Sequence, residues 1–149
     1  MVGTIRRETP RADGVRVFSV MGTTCKVLLS SEETRGALST IHVWVPAGFE
    51  NPAHLHWYED EHFLMVRGEL QIVLDGATRT IREGEAAFAP RRVPHAFRNT
   101  TLTTAEVIVT VTPGGLDRFF KAVHEAGAAG RTDMETVLDL IERHGMSAV

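Results

Sequence analysis

HLHWYEDEHFLMVRGEL, residues 54–70, sets two histidines on either side of a leucine, follows them with a run of carboxylates, and continues into an apolar segment interrupted at Gly68. Strand side chains alternate between faces, so His54 and His56, two residues apart, send both imidazoles to one side. A β protein builds half of a metal site this way. The question for the rest of the chain is whether it supplies the other half.

The 149 residues fit one domain large enough to bury a sizeable core. The apolar and charged fractions are those of an ordinary globular protein, and 13 glycines with 6 prolines provide many turns. A net charge of -3 with histidine neutral gives no electrostatic reason to expect nucleic acid or an anionic membrane as partner. Cys25 is the only cysteine, so an internal disulfide and any cysteine-based zinc motif are excluded, and a reducing compartment fits best. The first twenty residues lack an apolar core of signal-peptide length, and no apolar run is long enough to span a bilayer. The expectation is a cytoplasmic protein.

From about Val15 to Thr112 short β-prone runs alternate with Gly, Pro, Asp or Asn: VRVFSV, CKVLLS, LSTIHVWV, EHFLMVRGELQIVLD, ATRTIRE, AAFAP, HAFRN and AEVIVTVT. Runs spaced this closely, with no helical period between them, predict an all-β antiparallel sandwich or barrel. Asp75-Gly76 is the strongest hairpin signal, joining ELQIVL to ATRTIR through a type I′ turn. After Pro113 the period changes. Leu116, Phe119, Phe120 and Val123 form one apolar helix stripe, and Met134, Val137, Leu138 and Ile141 form another. Thr132 with Glu135 reads as a capping box, and Gly145 as a C-terminal stop. The expected organisation is a β-barrel domain over residues 1–113, with an arm at about 1–14, and a two-helix extension over 114–149 packing on the outside of the barrel.

Two segments carry the chemistry. Residues 48–68 read G-x5-H-x-H-x4-E-x6-G, and residues 84–99 read G-x5-P-x-R-x2-H-x3-N. They resemble the two signature motifs of the cupin superfamily, the second departing at Arg92, where the family usually has glycine. The resemblance covers about Val15 to Thr112, and the runs PHAFRN and TPGGLDRFF are similar to small single-domain, quercetin-dioxygenase-like cupins. It implies a double-stranded β-helix, or jelly-roll, barrel, with His54, His56, Glu61 and His95 as metal ligands.

Physical chemistry supports that set. His54 and His56 share a face, Glu61 begins the next strand across a short turn, and His95 can arrive from a strand opposite. Three imidazoles and a carboxylate suit Fe(II), Mn(II), Ni(II), Co(II) or Zn(II) with positions left open. One divalent ion per chain is expected, with Fe(II) favoured. The spacing to Gly68 selects Glu61 over Glu59 and Asp60, which are expected to stay solvated in the turn. His62 should point to the opposite face. His42, His124 and His144 are assigned no role.

Alternation extends inward from the ligands. With Glu61 inside, Phe63 and Met65 should face in, and with His95 inside, Phe97 and Asn99 should join them, as pocket wall or as plain barrel filling. Which face of LSTIHVWV carries His42 and Trp44 is left open. Arg92 reads as solvated surface rather than as a cation at the cavity mouth.

Three functions are compatible with this site. The first is a dioxygenase or other oxidoreductase acting on a small phenolic or enol substrate. By analogy with quercetinase-like proteins, Glu61 would be the catalytic proton acceptor. The second is a non-oxidative cyclase, isomerase, lyase or decarboxylase using the metal as a Lewis acid. The third is a non-catalytic small-molecule-binding cupin. The resemblance also implies a homodimer, and a small-molecule substrate is expected; the charge and the lack of a long apolar run give the expectation of neither nucleic acid nor membrane as partner.

Overall fold

A computed structural model describes residues 16–149; the expected N-terminal arm lies outside the described residues. The strands are β1 (Val17–Val20), β2 (Thr23–Leu29), β3 (Ser39–Val45), β4 (His54–His56), β5 (Asp60–Arg67), β6 (Glu69–Leu74), β7 (Ala77–Arg82), β8 (Ala86–Ala89), β9 (His95–Arg98) and β10 (Ala105–Thr112), followed by α1 (Leu116–Ala128), α2 (Met134–Arg143) and β11 (Met146–Ala148).

They form two antiparallel sheets, one ordered β1-β2-β3-β10-β5-β8 and the other β11-β4-β9-β6-β7. The interior is dictated by alternation. On β3 the buried residues include Ile41, Val43 and Val45, on β5 Glu61, Phe63 and Met65, and on β10 Ala105, Val107, Val109 and Val111, with less buried residues between them. Neighbouring strands thus turn one apolar stripe toward the facing sheet, whose Leu70, Ile72 and Ile81 close the core. Burying a side chain of this size stabilises the fold by about 1.5–3 kcal/mol.

Two glycines direct the chain. Gly68, at φ 76°, separates β5 in one sheet from β6 in the other, and a methyl group there would sit 3.4 Å from the Ala105 backbone. Gly76 follows Asp75 with both at positive φ, 80° and 48°, and Leu74 pairs with Ala77. That is the two-residue hairpin expected of Asp-Gly.

The C-terminal segment differs from expectation in three respects. The cap of α2 is Asp133, not Thr132: Asp133 accepts the Thr136 backbone N–H at 2.8 Å and the Thr136 hydroxyl at 2.9 Å. Position 133 is the residue immediately before the first helical turn, and its carboxylate reaches the orphan N–H without a glutamate partner. The helices also do not merely cover the barrel's outside. Leu116, Phe119 and Ile141 join the central apolar cluster and close the barrel's open end. Finally, Gly145, at φ 72°, ends α2 as expected, but the chain then returns as β11 alongside β4.

Candidate metal centre

The four residues come from three strands. His54 and His56 stand at the two ends of β4, and His54 pairs directly with His95, the first residue of β9. Glu61 lies near the start of β5, paired with Val111 and Ala89. Alternation along β4 and β5 turns three of these side chains to a common interior point, and the β4–β9 pairing adds His95. One ligand atom from each residue lies within 4.8 Å of every other. His56, Glu61 and His95 are 1%, 5% and 2% exposed, and His54 is half-buried.

Every imidazole is fixed from behind. His54 Nδ1–H donates to the Pro52 carbonyl at 2.9 Å, His56 Nδ1–H to Glu59 Oε2 at 2.8 Å, and His95 Nδ1–H to the Val93 carbonyl at 3.0 Å. A carbonyl or carboxylate oxygen can only accept, so each Nδ1 carries the proton and each Nε2 is aimed inward. His95 Nε2 lies 2.7 Å from Glu61 Oε2. His56 Nε2 lies 3.2 Å from the same oxygen, yet it is buried and makes no hydrogen bond. A buried polar atom without a partner requires an explanation. A cation at the centre supplies one, and the arrangement is that of metal-bound histidines held by outer acceptors.

The electrostatics agree. Burial pushes the His54 imidazole down to about 4, with the neighbouring histidines adding to the effect, so it is neutral. Burial opposes charge on His56 too, but Glu61 and Glu59 outweigh it and lift this imidazole to about 9. Burial would raise the Glu61 carboxyl, yet His56 and His95 hold it well below the usual carboxylate range. Glu61 is therefore ionised, and the centre attracts a proton or a metal ion in its absence.

The site opens onto a cavity of about 90 Å3. His54, His56 and Glu61 form its polar end, with Val43, Val109, Phe49 and Phe97 as barrel wall and Leu116, Phe119, Ile141 and Met146 as the opposite wall. No lysine or arginine lines it among the described residues.

The four expected ligands are brought together, and of the four expected pocket residues Phe97 lines the cavity. Phe63 and Met65 do not: they are 0% and 2% exposed and fill the barrel. Alternation turned them inward, but successive inward positions on β5 lead away from the site. Phe63 instead packs edge-on against His95 and Phe97, with ring centroids 6.3 and 6.2 Å away. Asn99 is also no wall residue. Its amide donates to the Val45 and Thr103 carbonyls and accepts from Thr101, so it locks a turn and has nothing left for a ligand. His62 points to the opposite face of β5, paired with Thr110 and Phe88. His42 and Trp44 stack with centroids 3.9 Å apart and alternate with the inward Ile41 and Val43. Arg92 adopts the left-handed conformation, φ 66°, at an exposed turn where its N–H donates to the His56 carbonyl at 2.7 Å.

Two contributions were not anticipated. Glu59 is not solvated: its side chain is 13% exposed and it holds His56, while Asp60 does stay at the surface, paired with Arg91. A carboxylate three residues after a ligand histidine in a turn was the available signal. The second is the cavity wall formed by the C-terminal segment, whose aromatic stripe was read as outer packing.

This double-sheeted jelly roll with a buried His3Glu cluster is the fold of a cupin. Residues 41–111 match the family described as Cupin domain. Among solved structures, the chain is similar to an RmlC-like cupin from Shewanella frigidimarina (TM-score 0.60, 21% identity, 72% of this chain and 91% of the other). It is similar to KdgF from a Halomonas species (0.58, 21%, 64% and 84%). It also resembles a predicted oxalate decarboxylase from Thermotoga maritima (0.59, 23%, 61% and 80%). At these identities the likeness is one of fold. No curated protein matches the chain. No helix among the described residues is long and apolar enough to cross a membrane.

Proposed function

We propose that this protein is a metal-dependent cupin enzyme, an oxidoreductase of the dioxygenase kind, that acts on a small phenolic or enol substrate. His54, His56, Glu61 and His95 hold one divalent ion, with Fe(II) favoured. The observation that carries this reading is the set of three committed Nδ1–H groups, which leaves three Nε2 atoms and an ionised carboxylate around one buried point that faces a cavity. When bound, such an ion supplies open positions where an oxygen-bearing substrate and O2 can meet.

The chain's own residues do the rest. The apolar wall of Phe49, Phe97, Phe119 and Ile141 receives a ring or short carbon skeleton and excludes water. Glu61 lines the cavity as a carboxylate and can take the proton of an incoming hydroxyl. With no lysine or arginine among the described residues of the wall, the bound ion would be the one cation available to an oxygen-bearing group of the substrate.

Protein purified without added metal should contain a transition metal near one per chain, and Fe(II)-loaded protein should consume O2 with catechol or a small enol. The same donor set serves a Lewis-acid isomerase or lyase. Turnover of the same substrates under strict anaerobiosis would select it and refute oxygenation.

A further inference from the structure

Glu59 occupies an unusual place. It belongs to the turn between β4 and β5, yet its two carboxylate oxygens face different structures. Oε2 accepts the His56 Nδ1 proton at 2.8 Å. Oε1 lies against Gly115, the residue that starts α1, so closely that a methyl group on Gly115 would fall 2.7 Å from it. That space exists because residue 115 has no side chain. The positive end of the helix also favours an anion there.

We propose that Glu59 is the positioning residue of the metal centre, and that Gly115 at the head of α1 sets where its carboxylate rests. The proposal builds on the metal-binding reading above. It ties the closing helix to the ligand set: α1 walls the cavity through Leu116 and Phe119, and Gly115, the residue that caps its start, fixes the carboxylate that orients His56. His54 and His95 are oriented by backbone carbonyls of their own strands' approaches, Pro52 and Val93, which a side-chain change cannot remove. His56 is the one ligand histidine whose orientation depends on a side chain. Substitution at Glu59 therefore acts on one ligand histidine and leaves the other two in place.

The test uses the full chain with Zn(II) and Co(II) as probes and measures affinity by chelator competition. Glu59→Ala should weaken binding by about 10–100-fold, the range for loss of an outer-sphere carboxylate. Glu59→Gln, whose carbonyl oxygen still accepts the Nδ1 proton, should lose less. Proton and nitrogen NMR of the imidazoles should show a slowly exchanging Nδ1–H on His56 that disappears in Glu59→Ala while those of His54 and His95 persist. Gly115→Ala should weaken binding in the same direction, because the displaced group is the mobile end of a side chain. The double variant should bind no worse than Glu59→Ala alone.

Affinity in Glu59→Ala equal to wild type would overturn the proposal. So would a loss as complete as that of Glu61→Ala, which would make Glu59 itself a ligand. Melting of each metal-free variant identifies any that is simply misfolded, and the Glu59→Gln comparison still decides if Gly115→Ala is. Wild-type protein that takes up neither ion would refute the metal reading instead, and the His56 ring signal then judges the positioning role alone.

Discussion

Met146 of β11 pairs with His56 of β4, so the last strand of the fold is the outer neighbour of the strand that carries two of the four site residues. The junction is reinforced on both sides. Trp57 N–H donates to the Gly145 carbonyl at 2.9 Å, the Trp57 indole N–H to Ser147 Oγ at 2.8 Å, and Val149 N–H to the Ala53 carbonyl at 3.0 Å. Deleting residues 146–149 leaves β4 with a free edge and opens the cavity at Met146. The expected result is a loss of about 2–5 kcal/mol in stability, as for truncating a buried methionine, with weaker metal uptake. Denaturant melts and chelator competition measure the two; an unchanged affinity would show that β4 is held by β9 alone.

Removing a ligand should differ sharply from removing a histidine on the other face. His54→Ala and His95→Ala should each abolish stoichiometric metal content, because they delete a donor of the cluster. His62→Ala should leave it unchanged, since that side chain points away from the site. Elemental analysis of the three purified proteins checks this, and equal losses in all three would contradict the face assignment on β5.

Arg92 holds the left-handed conformation at φ 66° in an exposed turn, a geometry that costs a side-chain-bearing residue about 1–2 kcal/mol. Arg92→Gly should raise stability by about 1 kcal/mol, part of the relief being offset by the greater entropy of glycine in the unfolded chain. A guanidinium melt reads the change. Destabilisation would mean that the arginine's contact with the Trp57 carbonyl outweighs the strain.

Glu33 gives a pH dependence away from the metal centre. Its carboxyl is held at about 2, against an ordinary 4.5, first by the Arg16 guanidinium and then by the Ser30 backbone N–H. A depressed folded-state value means a contribution to stability that is present above pH 4.5 and lost as pH falls toward 2. The stability gap between wild type and Glu33→Gln should therefore be widest near neutrality and shrink over that window. Denaturant midpoints at a series of pH values test it, and a gap independent of pH would remove the ion pair as the cause.

Cys25 is fully buried, and burial pushes its thiol up to about 11. Thiol reagents act on the thiolate, so the native protein at pH 8 should label far below one equivalent and the denatured protein at one. Rapid native labelling would show that β2 opens locally.

The sequence exposed the site's ligands for a simple reason. His54, His56 and Glu61 lie on β4 and β5, where alternation turns them to one interior point, and the segment that carries them is bracketed by positive-φ glycines at 48 and 68. The Asp75-Gly76 hairpin and the α1 stripe were equally readable, each resting on a local rule, whereas on α2 Met134 and Leu138 stay exposed and Leu140 packs with Val137 and Ile141 instead. What escaped depends on relations that no local rule carries. Glu59 sits in a turn, where side chains have no period, and only the arrival of Gly115 from a distant part of the chain shows why it is buried. β11 has three residues, too few for alternation to announce a strand. Phe63 and Met65 were placed inside correctly, but depth along a strand is set by where the opposite sheet and the helices meet it.

The cavity takes wall residues from Val20 near the start of the described chain and from Ala148 near its end. During synthesis the donor groups of His54 through His95 leave the ribosome well before that enclosure can be completed. The enclosed chamber is therefore complete only once the chain through Ala148 is in place.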